Sequence, residues 1–172
     1  HTHRKGQLII VLYGAVSCRA ENNLWIVPPR CAVWIPGGIP HSVSATWNAR
    51  LNYLFIEPGA AALPGSCCTL ALSPLIHELV ERLTHEGADY VADSHAGRLT
   101  RVTLDELATM PAQRLNLPVS SHPKIRAMAD RLASRLVRSF GRRSICTVKS
   151  PCATRSTVSF TTEGSAPRIL RI

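Results

Sequence analysis

The sequence predicts a mainly β domain, a sandwich or barrel, followed by a small helical appendage and an irregular tail. Short runs rich in β-branched and aromatic residues recur about every ten residues through 7–57, with turn residues between them. At Ser73 the apolar spacing changes from strand-like to helical. Beyond Phe140 neither spacing persists.

The β segments are QLIIVLYGAV (7–16), LWIV (24–27), CAVWIP (31–36), SVSATW (42–47) and LNYLFIEP (51–58). Turns are expected at Glu21-Asn22-Asn23, Pro28-Pro29-Arg30, Pro36-Gly37-Gly38 and Trp47-Asn48-Ala49. CCTLAL (67–72) reads as one further short strand. A first helix is expected over 73–87, with Ser73 as N-cap, Pro74 at the first helical position and Gly87 as the stop. Its apolar stripe is Leu75, Ile76, Leu79, Val80 and Leu83. A second helix over 96–109 offers Leu99, Val102, Leu104 and Leu107, and Pro111 and Pro118 bracket a linker. A third starts near Pro123 and carries Ile125, Met128, Leu132 and Leu136. These elements divide the chain into a β unit (1–72), a helical unit packing on it (73–117) and a third stretch (118–172) whose end is largely disordered. No internal repeat occurs.

The net charge of +9 is concentrated at one end. Residues 1–130 hold 11 Lys and Arg against 10 Asp and Glu, whereas 131–172 hold nine against one. Such a tail attracts polyanions without specificity. The longest apolar run, nine residues at 8–16, is too short to span a membrane. It also closes on Tyr13-Gly14, which argues against a secretory signal. Six cysteines without a CxxC spacing, two of them adjacent at Cys67 and Cys68, do not form a disulfide framework. A cytoplasmic protein is therefore expected. The first residue is not Met, so processing or loss of the true N-terminus is expected.

One constellation points to chemistry. In a strand, residues i and i+2 face the same side, so His1 and His3 can share a cavity and Gln7 can join them. A strand leaving the Pro36-Gly37-Gly38 turn brings His41 to the same place. Three imidazoles and one amide oxygen form a shell for Zn, Ni, Mn or Fe as a divalent ion. Ile9, Val11 and Tyr13 share the phase of Gln7 and would line the same cavity as an effector pocket, with Trp34 as a stacking surface.

The His1-x-His3, Gln7 and Gly14 set, with Pro36-x-Gly38-x-x-His41 after it, resembles the two cupin motifs. That resemblance implies a jelly-roll type β-barrel. Gln7 stands where metal-binding cupins carry Glu, and Arg30 where the second motif opens with Gly. The wider stretch WIVPPRCAVWIPGGIPHSV, with LNYLFIEPGAAALPGSCCTLALSPLIHELV after it, is similar to the N-terminal cupin-like sensor domain of AraC-type transcriptional regulators. The similarity extends to about residue 133, where HPKIRAMADRLA (122–133) resembles the start of the family's DNA-binding region.

The resemblance implies a barrel that binds a small-molecule effector, a helical subdomain that makes a homodimer, and two helix-turn-helix units that read DNA. Such a pair needs about 100 residues. From His122 only 51 remain, and their Ser/Arg-rich composition suits a truncated or frame-altered region. DNA is therefore a partner only if a complete helix-turn-helix region is present, and no membrane partner is expected. The expected function is the effector-sensing and dimerisation portion of such a regulator, not an enzyme. The alternative is a small metal-dependent cupin enzyme, a dioxygenase or isomerase built on His1, His3, Gln7 and His41. No Gly-rich phosphate loop, GxSxG or supported Ser/His/Asp set is present. Trp25 and Trp47 read as core or rim packing, Cys18 and Cys31 as small buried apolar residues, and Glu78 with Glu81 as a solvated helix face.

Overall fold

Two sheets, antiparallel but for one edge strand, face each other, and the fold follows from a strand that is apolar on both sides. The structure, a computed structural model, describes residues 1–86, 91–113, 115–120, 122–139, 145–147 and 168–171. Its strands are β1 (Gly6–Tyr13), β2 (Val16–Ala20), β3 (Asn23–Val27), β4 (Cys31–Ile35), β5 (His41–Thr46), β6 (Arg50–Ile56) and β7 (Cys68–Ala71). Helices α1 (Pro74–Leu83) and α2 (His95–Thr109) follow, then the two-residue strands β8 (Ala112–Gln113) and β9 (Leu117–Pro118). Helix α3 (Pro123–Ser139) and two short strands, β10 (Ile145–Thr147) and β11 (Arg168–Arg171), complete the order. One sheet runs β11-β6-β1-β4-β7-β8 and the other β10-β5-β2-β3-β9.

Side chains of β1 alternate between two apolar clusters. Ile9 and Val11 enter the space between the sheets with Val16, Cys18, Trp25, Val33, Tyr53 and Phe55. Leu8 and Ile10 point the other way, beneath Ile76, Val80 and Leu83 of α1 and Leu107 of α2. All four β1 residues are fully buried, and each such burial contributes roughly 1.5–3 kcal/mol. The helices are held by the same logic. Ser73 accepts a hydrogen bond from Ile76 N as the N-cap of α1, and Ser94 accepts one from Gly97 N as that of α2. Of the expected α1 stripe, Ile76, Leu79, Val80 and Leu83 are buried, while Leu75 is half exposed. On α2, Val102 is likewise exposed, and small residues, Ala96, Gly97, Thr100 and Thr103, supply most of the buried face.

Five expectations change. The run 7–16 is two strands, because the turn at Gly14, at φ +76°, passes the chain from one sheet to the other. The register slips between Val11 and Tyr13, and Tyr13, 59% exposed, does not join Ile9 and Val11 between the sheets. The first helix ends at Leu83, with Thr84 as its C-cap. The 111–118 linker pairs back onto the barrel, β8 on β7 and β9 on β3. Within the expected disordered tail, β10 pairs with β5 and β11 with β6, while the rest of that expectation beyond Ser139 falls outside the described residues.

The β2–β3 hairpin has Glu21 and Asn22 both at positive φ, the two-residue turn that matches strand twist. Arg30 also lies in the left-handed region, at φ +67°, where its N–H reaches Val11 O at 2.9 Å. Its side chain is exposed, so an L-residue there carries backbone strain that no side-chain contact requires. Arg30→Gly should therefore raise stability by roughly 0.5–1 kcal/mol, read as a higher urea midpoint at unchanged slope; an unchanged or lowered midpoint would contradict this.

Candidate functional site

Residues 1–5 lie outside the strands, so it is not strand alternation that joins His1 to His3. This segment instead crosses the turn that precedes β5. His41 N donates to His1 O at 3.0 Å, and His1 N donates back to His41 O at 3.1 Å. Gly38 N donates to His3 O at 2.8 Å. The crossing is possible because residue 37 is glycine: a Cβ there would sit 1.9 Å from Arg4 O. Glu57, beyond β6, fixes the segment from the other side through Arg4 (2.6 Å) and Lys5 (3.0 Å). The Lys5 hydrogen bond, ahead of the nearby charges, holds the Glu57 carboxyl below its ordinary range.

The crossing brings His1, His3, Gln7 and His41 together. One ring nitrogen of each histidine lies within 4.8 Å of the others. His41 and Gln7 are buried, His3 is half-buried and His1 is exposed. Both inner rings are oriented by backbone carbonyls: His3 Nδ1–H donates to Lys5 O at 2.6 Å and His41 Nδ1–H to Ile39 O at 2.9 Å. A carbonyl only accepts, so the proton resides on Nδ1 and a neutral ring turns a bare Nε2 inward. Those Nε2 atoms stand 3.0 and 2.9 Å from Gln7 Oε1, while Gln7 Nε2 is buried without a partner.

Two arrangements satisfy this chemistry. Turning the amide over lets its NH₂ donate to both rings, closing a neutral network. Alternatively, a divalent cation sits among the three imidazoles with Gln7 Oε1 as a fourth ligand, and the Nδ1 bonds are the outer contacts that orient metal-bound histidines. The donor set fits a borderline ion such as Zn²⁺ or Ni²⁺, with no anionic ligand to strengthen it.

The other expected pocket residues divide by facing. Ile9 and Val11 do point between the sheets. Trp34 does not, because the register pairs it with Leu8, and both belong to the cluster beneath the helices. Its ring lies over Gly6, and its Nε1–H donates to Pro64 O at 2.8 Å. The interior aromatics are Trp25, Tyr53 and Phe55. Extending the Gln7 phase across the β1–β6 register, Gln7 to Phe55 and Ile9 to Tyr53, identifies the last two. Trp25 Nε1 and Tyr53 Oη are buried without partners. Burial, with Cys67 nearby, pushes the Cys18 thiol up to about 12. Burial, with Glu21 adding to it, takes Cys67 to about 12 as well, so both are inert thiols at neutral pH.

A cleft of about 550 Å³ opens beside the histidines at the barrel mouth, within the size range of small-molecule sites. Arg19, Glu21, Ile39, His41 and Ser42 line its barrel side, and Val119 and Arg126 its far side. Neither Arg19 nor Arg126 belongs to any sequence motif that marks it as functional.

The sequence profile of the AraC-like ligand binding domain matches residues 1–100. The HTH-type transcriptional regulator NimR of Escherichia coli (strain K12) is 53% identical over 133 residues, 77% of this chain and 49% of that protein. The chain thus spans about half the length of the curated relative it matches.

Burial, foremost, together with the neighbouring His3 and N-terminal charges, lowers the pKa of His41 below its ordinary 6.5, against the opposing Ile39 bond. A histidine that resists protonation in the folded state binds fewer protons there than in the unfolded chain. Its contribution to stability is therefore full above about pH 6.5 and is lost as pH falls toward the lowered value. Urea midpoints measured between pH 7.5 and 5 should fall with pH in the wild type and fall less steeply in His41→Gln; equal slopes would contradict the assignment.

Proposed function

Because the chain belongs to the AraC-like ligand-binding domain family, we propose that it is the effector-sensing portion of a transcriptional regulator, with the effector held in the cleft at the barrel mouth. The observation that carries the reading is that cleft: about 550 Å³ of open space, polar at His41 and Arg19, apolar at Ile39 and Val119. Orphaned donors and acceptors on Gln7, Trp25 and Tyr53 lie in the barrel behind it. DNA is a partner only where a complete helix-turn-helix region is present, and α3 stands at the start of the stretch that would carry it. The partners in this reading are a small molecule, a second copy of the chain and, through that region, DNA. The exposed Leu75 and Val102 on the outer helices supply apolar contacts for the second copy. Among the described residues no helix is long and apolar enough to cross a membrane, and a cytoplasmic location follows from the regulator reading.

A catalytic role is disfavoured by the donor set. Gln7 supplies an amide where a metal-dependent enzyme of this architecture uses a carboxylate, so the site offers no anionic ligand to a catalytic metal. A screen of small metabolites by thermal shift tests the sensor reading. At least one compound should raise the melting temperature, and Ser42→Trp, an exposed residue on the cleft wall, should remove the response while leaving the unliganded melting temperature unchanged. No responding compound, or an undiminished response in Ser42→Trp, would overturn it.

The convergence of His1, His3 and His41 favours one further property of the same domain, that it takes Zn²⁺ or Ni²⁺. At a hundredfold excess of ion over its Kd, binding would add roughly 3 kcal/mol of stability. Zn²⁺ titration should therefore raise the wild-type melting temperature and leave that of His41→Ala unmoved; an equal shift in both, or none in either, would remove the metal.

A further inference from the structure

The cleft has two walls that are distant in sequence. One is the barrel mouth, where β2 presents Arg19 and β5 presents Ser42. The other is the start of α3 with the residues leading to it, where Val119 and Arg126 stand. The lead-in is pinned: Val119 N donates to Asn22 O at 2.8 Å, and Asn116 Nδ2 donates to Asn23 Oδ1 at 2.7 Å. The helix is held more lightly. Its apolar residues Ile125, Met128 and Leu132 are exposed, whereas Arg126, Asp130 and Ala133, at spacings of four and three, turn toward the barrel. A polar tie on that face is the ion pair of Arg19 Nη2 with Asp130 Oδ1, half exposed at the edge of the cleft.

That pair shows which chemistry the cleft recognises. A carboxylate borne by the protein itself already sits on Arg19. Arg126, facing the same space, spends only its Nε–H, on Ser120 O at 3.4 Å, and has no carboxylate partner among the described residues. Two guanidiniums thus line the cleft against one carboxylate, Glu21. Ile39, Pro40 and Val119 supply apolar wall. A guanidinium fork binds a carboxylate through paired hydrogen bonds, and a free anion of that type competes with Asp130 for the same donors.

We propose that the effector is a small molecule with an apolar body and a carboxylate, which takes Arg19 from Asp130, engages Arg126 as well, and thereby releases α3 from the barrel mouth. This rests on the sensor reading and adds the effector's chemical class and the contact through which its binding reaches the next region. The signal is the exchange of an internal carboxylate for an external one.

The test uses the whole chain with 3-phenylpropionate and its neutral isostere 3-phenylpropionamide, at matched ionic strength. Calorimetry should give at least tenfold tighter binding of the acid than the amide by the wild type. Asp130→Asn, which removes the competitor, should bind the acid about two- to fivefold tighter again. Arg19→Gln should lose most of the preference for acid over amide, and Arg19→Gln combined with Arg126→Gln should lose all of it. Hydrogen exchange across 123–135 should quicken in the wild type on adding the acid, to the level of ligand-free Asp130→Asn. Equal affinities for acid and amide, unchanged affinity in Asp130→Asn, or unaltered exchange in α3 would each overturn the proposal. If the acid fails while neutral compounds respond in the thermal-shift screen and Ser42→Trp abolishes that response, the carboxylate exchange falls and the sensor reading stands. If nothing binds in either experiment, both fall.

Discussion

From Gly6 to Val11, strand β1 has no side that faces water, and the rest of the molecule is arranged around that constraint. Leu8 and Ile10 must be covered by helices, and Ile9 and Val11 by a second sheet. Both edges of the strand are also occupied, by β4 and β6. A strand buried on both faces reads as an unbroken apolar run, as QLIIVLY does. Its one interior polar group, Gln7, is placed in the phase of Ile9 and Val11. That phase carries the amide into the barrel beneath the crossing of residues 1–5 and the Pro36–Gly38 turn. A one-residue slip would send Gln7 into the helical layer and dismantle the histidine cluster together with both cores.

The identity of residue 7 decides how that cluster behaves. A glutamate would place a buried negative charge among imidazoles, and such a charge demands a cation or protonated rings. An amide is neutral and can donate as well as accept. With Nδ1 of His3 and His41 committed to carbonyls, it closes the network without any ion, while its oxygen can still serve as a neutral ligand. The neutral state of His41, favoured by burial, belongs to the same arrangement.

How far the sequence revealed all this depended on the range of the interaction. Local signals were legible: the Ser73 cap with Pro74, the turn at Pro36-Gly37-Gly38, and the grouping of His1, His3, Gln7 and His41 through spacing and resemblance. Facing was harder. Because β4 is buried on both sides, as β1 is, its alternation does not say which residues look inward, and Trp34 falls in the helical phase only because the register pairs it with Leu8. Tyr13 leaves the phase of Ile9 and Val11 for a different reason, since the bulge after Val11 breaks a parity that a linear count assumes. The Arg19–Asp130 contact was not legible at all. It joins residues 111 apart through tertiary placement alone, and neither side chain interrupts an apolar pattern that would mark it.

The weakness of that contact is what suits it to signalling. A half-exposed ion pair is worth roughly 0.2–1 kcal/mol, because solvent screens it and both side chains must be ordered. The barrel, by contrast, is held by two buried clusters and by ladders on both edges of β1. A ligand shifts an equilibrium only by its differential affinity for the two states. An effector of ordinary affinity can therefore overcome the tie to α3 while leaving the barrel unmoved. Were α3 instead seated by its apolar face of Ile125, Met128 and Leu132, several buried side chains would have to be exposed to release it, at roughly 1.5–3 kcal/mol each. Among the described side chains the helix turns that face away from the barrel and meets it through Asp130 and Ala133, a weaker attachment than the two buried clusters that hold the barrel.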